Sequence, residues 1–298
     1  MLDRVRSLLE MIRFSHTVFA LPFALSSAAL AWKSRGAWNG ASFAVQLVGI
    51  LLCMVFARSA AMAFNRLADR LIDATNPRTA GRHLPAGKLT VRAVVLFLAV
   101  CCVGFVASAA LFLLAEPPNP WPLAFAVPVL LFICAYSYTK RFTALSHFWL
   151  GASLCLAPVA AWVAIRGLDS LAVPVVLGLA VLFWVAGFDI LYACQDVDFD
   201  RKAGLSSVPA RIGVRASLRV ALLCHALMLG ALLALFWVAR PYLGGLYLAG
   251  VAAVTVLLAY EHWLVRPDDL SRVNRAFFHV NAVVSLGLFA VVLVQLAL

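Results

Sequence analysis

The feature that most constrains this chain is a succession of nine apolar stretches, at about residues 15–32, 42–64, 90–115, 121–139, 146–165, 171–195, 216–238, 242–263 and 276–297. A helix needs roughly 20 such residues to cross the hydrocarbon core of a bilayer. Backbone polar groups in lipid must be satisfied within the segment, so stretches of this length predict helices. Proline and glycine punctuate their ends, as in Glu116-Pro117-Pro118-Asn119-Pro120 and Arg240-Pro241. Composition agrees. Of 298 residues, 64% are hydrophobic and 12% charged, where a soluble domain has about half and about a quarter. So few charges could not cover a soluble surface. The expectation is an all-α, polytopic membrane protein, with residues 1–298 as one domain, since no long polar linker sets off a second. The first stretch lacks a small-residue cleavage site and reads as a retained helix, not a signal peptide.

The net charge of +11 invites a nucleic-acid reading, but the placement of the charge argues against it. Basic residues fall between the apolar stretches instead of along one face, as topology charges do. With the N-terminus in the cytoplasm, nineteen of the 24 Lys and Arg residues lie on the cytoplasmic side. Lys33, Arg35, Arg166 and Arg240 lie on the other, and Arg58 falls inside a span. An inner-membrane location follows if the source is bacterial. The seven cysteines all sit in apolar stretches, without metal-ligand spacing, and read as small core residues without a disulfide framework.

Only 13 residues are acidic, and five of them cluster after the second and sixth spans. In Asn65-Arg66-Leu67-Ala68-Asp69-Arg70-Leu71-Ile72-Asp73, a continuing helix puts Asn65, Asp69 and Asp73 on one face at i, i+4 and i+8. Two carboxylates about 6 Å apart repel by roughly 3 kcal/mol at an effective dielectric near 20. A divalent cation removes that cost, and hard oxygen ligands with open positions suit Mg²⁺ bridging to phosphate. The alternative is a solvated helix end in which Arg66 and Arg70 neutralise the aspartates. The second cluster, Asp196-Val197-Asp198-Phe199-Asp200 beside Arg201 and Lys202, weighs against that alternative. Two acidic sites on one side of the bilayer are most simply explained by metal ions clamping a diphosphate, with basic residues on its remaining oxygens. The two segments, four spans apart, hint at an internal repeat.

Arg58 and Asp189 lie deeper, each seven residues before a cluster. Intramembrane charges usually line a polar cavity, so the nine helices are expected to surround a central one; a mutual Arg58–Asp189 pair is the alternative. Tyr136 and Lys140, at i and i+4, and Arg141 end the fourth span, and Arg13 and His16 precede the first.

Asn65-x3-Asp69-x3-Asp73, followed by Asn76-Pro77-Arg78-Thr79-x2-Arg82-x-Leu84-Pro85-x-Gly87, resembles the first signature of the UbiA superfamily of intramembrane prenyltransferases. Asp189-x2-Tyr192-Ala193-x2-Asp196-x3-Asp200-x3-Gly204, ending in Ser207-x-Pro209-Ala210-x2-Gly213, is similar to the second, and Tyr136-x3-Lys140 to a third. The likeness covers nearly the whole chain. Two departures stand out: Arg66 where many members have Asp, which excludes a metal ligand there, and His16 where many quinone-pathway members have Lys. The phrasing His16-Thr-Val-Phe-Ala-Leu-Pro and Tyr192-Ala-Cys-Gln-Asp-Val-Asp-Phe-Asp looks like the 4-hydroxybenzoate polyprenyltransferase-like branch. More narrowly, it looks like relatives in menaquinone synthesis through the futalosine route.

The resemblance implies Mg²⁺-dependent transfer of a polyprenyl group from its diphosphate to an electron-rich aromatic acceptor in respiratory quinone biosynthesis. Asn65, Asp69, Asp73, Asp196 and Asp200 would be the metal-side ligands. Arg78, Arg82, Lys140, Arg141 and Lys202 would contact diphosphate; Arg58 and Asp189 would lie nearest the acceptor and carbocation. Tyr136, Tyr192, Arg13 and His16 complete the candidate substrate contacts. The partners are then polyprenyl diphosphate, the aromatic acceptor and the bilayer, with no nucleic acid and no protein partner implied. Haem farnesylation is the competing activity within the superfamily. A secondary transporter would be expected to carry its key charges midway through spans, and the signature of a CDP-alcohol phosphotransferase is absent.

Overall fold

The computed structural model describes residues 2–12, 20–36, 40–270, 272–273 and 276–298. Among these, every regular element is helical, apart from one isolated bridge between Arg266 and Asp269. The elements up to the middle of the chain are α1 (Leu2–Met11), α2 (Leu21–Arg35), α3 (Gly40–Ala68), α4 (Arg70–Thr75), α5 (Val91–Ala110), α6 (Trp121–Thr139) and α7 (Ser146–Arg166). Then follow α8 (Ala172–Ala193), α9 (Val197–Lys202), α10 (Val208–Ile212), α11 (Val214–Val238), α12 (Gly245–Leu264) and α13 (Asn281–Ala297). Eight of the described helices are long and apolar enough to cross a membrane. The expected first span, 15–32, corresponds to α2, of 15 described residues. Proline and glycine act where the sequence placed them: Pro22 stands in the first turn of α2, and Gly36 closes it with φ 75°.

The chain packs as two compact units. The first comprises Met1–Thr17 and Asn39–Tyr138. Its core forms where α3 meets α5 and α6, through Ala60, Cys101, Phe105, Ala109, Ala126 and Leu130. Gly104 lets the Phe56 ring lie against the α5 backbone; a Cβ there would come within 2.7 Å of it. Met11, the last residue of α1, and Ile12 after it are buried with Ala63, Leu89 and Val94. That contact anchors the N-terminal helix beside the end of α3 that carries the first aspartates.

The second unit comprises Val18–Trp38 and Thr139–Leu298. Its central helix is α8, with thirteen buried residues, flanked by α7 and α11. Gly151 on α7 approaches the Leu182 carbonyl so closely that no side chain fits. Trp184, fully buried, packs against Phe23 and Phe188 with ring centroids 5.1 Å away in each case.

A polar network also runs through this apolar interior. Trp184 Nε1 donates to Asn281 Oδ1 (2.7 Å), and Asn281 Nδ2 donates to Glu261 Oε1 (3.1 Å). His225 Nδ1 lies 2.9 Å from His262 Nε2 and 3.9 Å from Glu261 Oε2. It links α8, α11, α12 and α13 by contacts that fix their relative rotation, which apolar packing alone leaves softer. At one end of the unit Lys33 Nζ donates to the Leu296 carbonyl (2.9 Å) and Arg166 Nη1 to the Ser34 carbonyl (3.3 Å). Asp189, Asp196, Asp198 and Asp200 are at the other end, where α8 finishes and α9 follows. The seven cysteines are free thiols.

Candidate functional site

The first cluster sits where α3 ends. The expected continuous helix is interrupted at Asp69, which has φ −94° and ψ 0°. The i→i−4 ladder nevertheless carries on, with Asp69 N donating to Asn65 O (2.9 Å) and Asp73 N to Asp69 O (2.8 Å). Asn65, Asp69 and Asp73 therefore keep the common face that their spacing predicted. Both carboxylates are buried, Asp69 at 2% and Asp73 at 5% exposure. Asn65 Nδ2 donates to Asp69 Oδ2 (3.0 Å) and reaches Ser137 Oγ (3.5 Å).

Asp73 is paired with arginines from both sides of it in the chain. Arg82 Nη1 donates to both of its oxygens, and Arg66 Nη1 lies 3.9 Å away. Arg66 also donates to Asn65 Oδ1 (3.3 Å). The segment that returns Arg82 to Asp73 is itself built from motif residues. The Asn76 side chain accepts from Arg78 N (2.9 Å), its carbonyl accepts from Thr79 N, and Thr79 Oγ1 donates back to Asp73 O (3.0 Å). Arg78 points outward and Tyr136 is half-buried. Arg58, two turns further into α3, has a buried Nε without a hydrogen-bond partner.

The second cluster begins where α8 passes through a 3-10 turn, Cys194–Asp196, into α9. Asp196 and Asp200 are half-buried, and Asp198 points outward, as expected for i and i+4 against i+2 on a helix. Ser207 Oγ donates to Asp200 Oδ2 (2.7 Å) and accepts from Ala210 N (3.2 Å), so it caps α10 while orienting the aspartate. Ser206 N donates to the Lys140 carbonyl (2.6 Å), which brings Lys140 within electrostatic reach of Asp200. Arg201 is committed elsewhere, its Nε donating to the Ala210 carbonyl (3.0 Å). Lys202 and Arg141 are exposed, and Tyr192 is half-buried. Deeper in α8, Asp189 Oδ2 lies 2.7 Å from His147 Nδ1. Arg13 and His16 lie outside the described residues.

Sequence reading missed His147 and left Ser207 without a role. His147 had one available signal, an ionisable residue at the mouth of an apolar span. Its partners, however, are 42 and 61 residues away in the chain.

The donor set fits one class of ion. Among the described residues, no three His, Cys, Asp or Glu side chains converge closely enough to cage a metal. What each cluster offers is an amide or a pair of carboxylates at a helix end. Mg²⁺ suits such a set, because it commonly takes one or two carboxylates and fills its remaining positions with phosphate oxygens and water.

The chain is similar to known proteins in both sequence and fold. Residues 20–283 match the model of the UbiA prenyltransferase family. A 4-hydroxybenzoate octaprenyltransferase of Nitrosomonas europaea is 30% identical over 295 residues, 94% of this chain and 91% of its own. One from Aromatoleum aromaticum is 32% identical over 235 residues, 79% of this chain and 76% of its own. Among solved structures, the apo form of a UbiA homologue from Aeropyrum pernix K1 superposes with a TM-score of 0.82 at 31% identity, covering 94% of this chain and 98% of its own. A UbiA homologue from Archaeoglobus fulgidus bound to DMAPP and Mg²⁺ shares the fold, with a TM-score of 0.71 at 19% identity and coverage of 98% and 99%.

Proposed function

We propose a reaction for this chain from the premise that it belongs to the UbiA prenyltransferase family. It transfers a polyprenyl group from polyprenyl diphosphate to an electron-rich aromatic acceptor of the 4-hydroxybenzoate type, with Mg²⁺, in respiratory quinone biosynthesis. The observation that carries this reading is the first cluster. Two buried carboxylates and an amide share one face at the end of an apolar helix, with Arg82 and Arg66 beside them. The names of the relatives support 4-hydroxybenzoate as the acceptor and an octaprenyl chain as the donor.

The roles follow from the chemistry of the side chains. Asn65, Asp69, Asp73, Asp196 and Asp200 are the residues that would hold Mg²⁺. When bound, Mg²⁺ neutralises the charge that builds on the departing diphosphate. Arg78, Arg82, Lys140, Arg141 and Lys202 supply cations to the diphosphate oxygens. The allylic C–O bond breaks and its electron pair leaves with the diphosphate. The aromatic ring carbon then forms a bond to the allylic carbon, and the ring loses its proton. Arg58, whose Nε is buried without a partner, binds the anionic group of the acceptor. Asp189 stands near the carbocation and the departing proton. The prenyl tail stays in lipid or among apolar helices, each methylene kept from water contributing about 0.8 kcal/mol.

We take residues 1–298 as one prenyltransferase domain, because the family match runs through both packed units. The N-terminus and the aspartate loops are cytoplasmic in this reading. In its support, Lys33 and Arg166 share the end of the second unit opposite Asp189, Asp196 and Asp200.

The test is direct. Purified protein in detergent, supplied with Mg²⁺, octaprenyl diphosphate and 4-hydroxybenzoate, should yield the prenylated acid by mass spectrometry, and EDTA should abolish it. Parallel reactions with 1,4-dihydroxy-2-naphthoate and a futalosine-type aminobenzoate decide the acceptor. No prenylated product from any of the three would overturn the assignment.

A further inference from the structure

His147 stands at the start of α7, 4% exposed, and joins three separate pieces of the second unit. Its Nδ1 lies 2.7 Å from Asp189 Oδ2 on α8, and the Val208 amide N lies 3.3 Å from its Nε2 at the start of α10. A backbone N–H only donates, so Nε2 has to be the bare nitrogen. The ring proton then sits on Nδ1, where it is donated to Asp189. The fold thereby sets the tautomer through a main-chain contact.

The residue before Val208 is Ser207, whose hydroxyl donates to Asp200. One imidazole therefore ties the deep carboxylate of α8 to the loop that orients the outer carboxylate of α9. An aspartate in an apolar span has few donors available, and a carboxylate without a fixed donor can turn about its own bonds. A small misplacement of a group beside a reacting centre costs much in rate.

We infer that His147 is the positioning residue of the second aspartate site, aiming Asp189 through Nδ1–H and fixing the Ser207–Asp200 contact through Nε2. It touches neither substrate nor metal. The inference rests on the prenyl transfer proposed above.

Asn and Gln separate its two contacts. An Asn amide nitrogen occupies the place of Nδ1, and a Gln carbonyl oxygen the place of Nε2. His147→Gln keeps the bond from Val208 and loses the donor to Asp189, so kcat should fall about 100-fold with the prenyl diphosphate KM nearly unchanged. His147→Asn keeps the donor and frees the loop, so the prenyl diphosphate KM should rise about threefold to tenfold with most of kcat retained. His147→Gln combined with Asp189→Asn should be no slower than Asp189→Asn alone, because the two act as one unit.

Thermal unfolding of each variant accompanies the kinetics. A purely structural histidine would lower stability in both variants and leave kcat and KM of the folded protein unchanged; that result overturns the inference. So does a failure of both variants to fold, which would assign His147 to the fold alone. Active wild type beside near-wild-type kinetics in both variants overturns the inference and leaves the proposed function standing. Inactive wild type overturns the proposed function, and the inference with it.

Discussion

Arg82 closes on Asp73 through a single nitrogen, its Nη1 2.7 Å from Oδ1 and 2.8 Å from Oδ2. Asp73 is 5% exposed, and Arg66 stands 3.9 Å away. Removing one partner of a buried pair leaves an uncompensated charge. Arg82→Ala should therefore lose about 3 kcal/mol of stability without Mg²⁺. The double variant Asp73→Asn with Arg82→Gln should recover part of it. Denaturant unfolding in mild detergent measures both, and an Arg82→Ala protein as stable as wild type would show the pair to be idle.

Asp69 and Asp196 are the sharper probes of metal chemistry, because each stands at the turn that follows a long apolar helix. Asp69→Asn and Asp196→Asn each keep the shape and remove the charge. Each should cost more than about 100-fold in kcat while the melting profile in detergent stays that of a folded protein. Near-normal turnover in both would sink the metal assignment.

Arg58 lies in the middle of α3 with its Nε buried and without a partner, a costly arrangement in a span unless an anion comes to it. Arg58→Ala should raise the acceptor KM about tenfold or more, the scale of one hydrogen bond to a charged group, and leave the prenyl diphosphate KM nearly unchanged. Equal changes in both would remove Arg58 from acceptor binding.

The Trp184–Asn281–Glu261 chain predicts a change in stability without a change in chemistry. Asn281 is fully buried and serves a donor on α8 and an acceptor on α12. Asn281→Ala leaves both without their partner and should lower stability by about 2–4 kcal/mol. A melting temperature equal to that of wild type would mean that the two groups find other partners.

The sequence by itself determined what depends on chain-local physics. The thickness of the hydrocarbon core turned apolar run length into helices, so α3, α5 to α8, α11 and α12 lie close to where composition put them. Helical period put Asn65, Asp69 and Asp73 on one face, and that face survives the break at Asp69 because the hydrogen bonds continue through it. It also set Asp198 apart from Asp196 and Asp200. Tertiary structure decided which charges meet. Spacing left open whether the aspartates of the first cluster would be neutralised by Arg66 and Arg70, but the clamp on Asp73 is Arg82, delivered by a turn built on Asn76 and Thr79. The partner of Asp189 is His147, 42 residues earlier, and the partners of Asn281 are 20 and 97 residues away. Hydrogen bonds are short and directional, so such pairs exist only once helix packing has fixed the rotation of each helix about its axis. No periodicity along the chain carries that rotation.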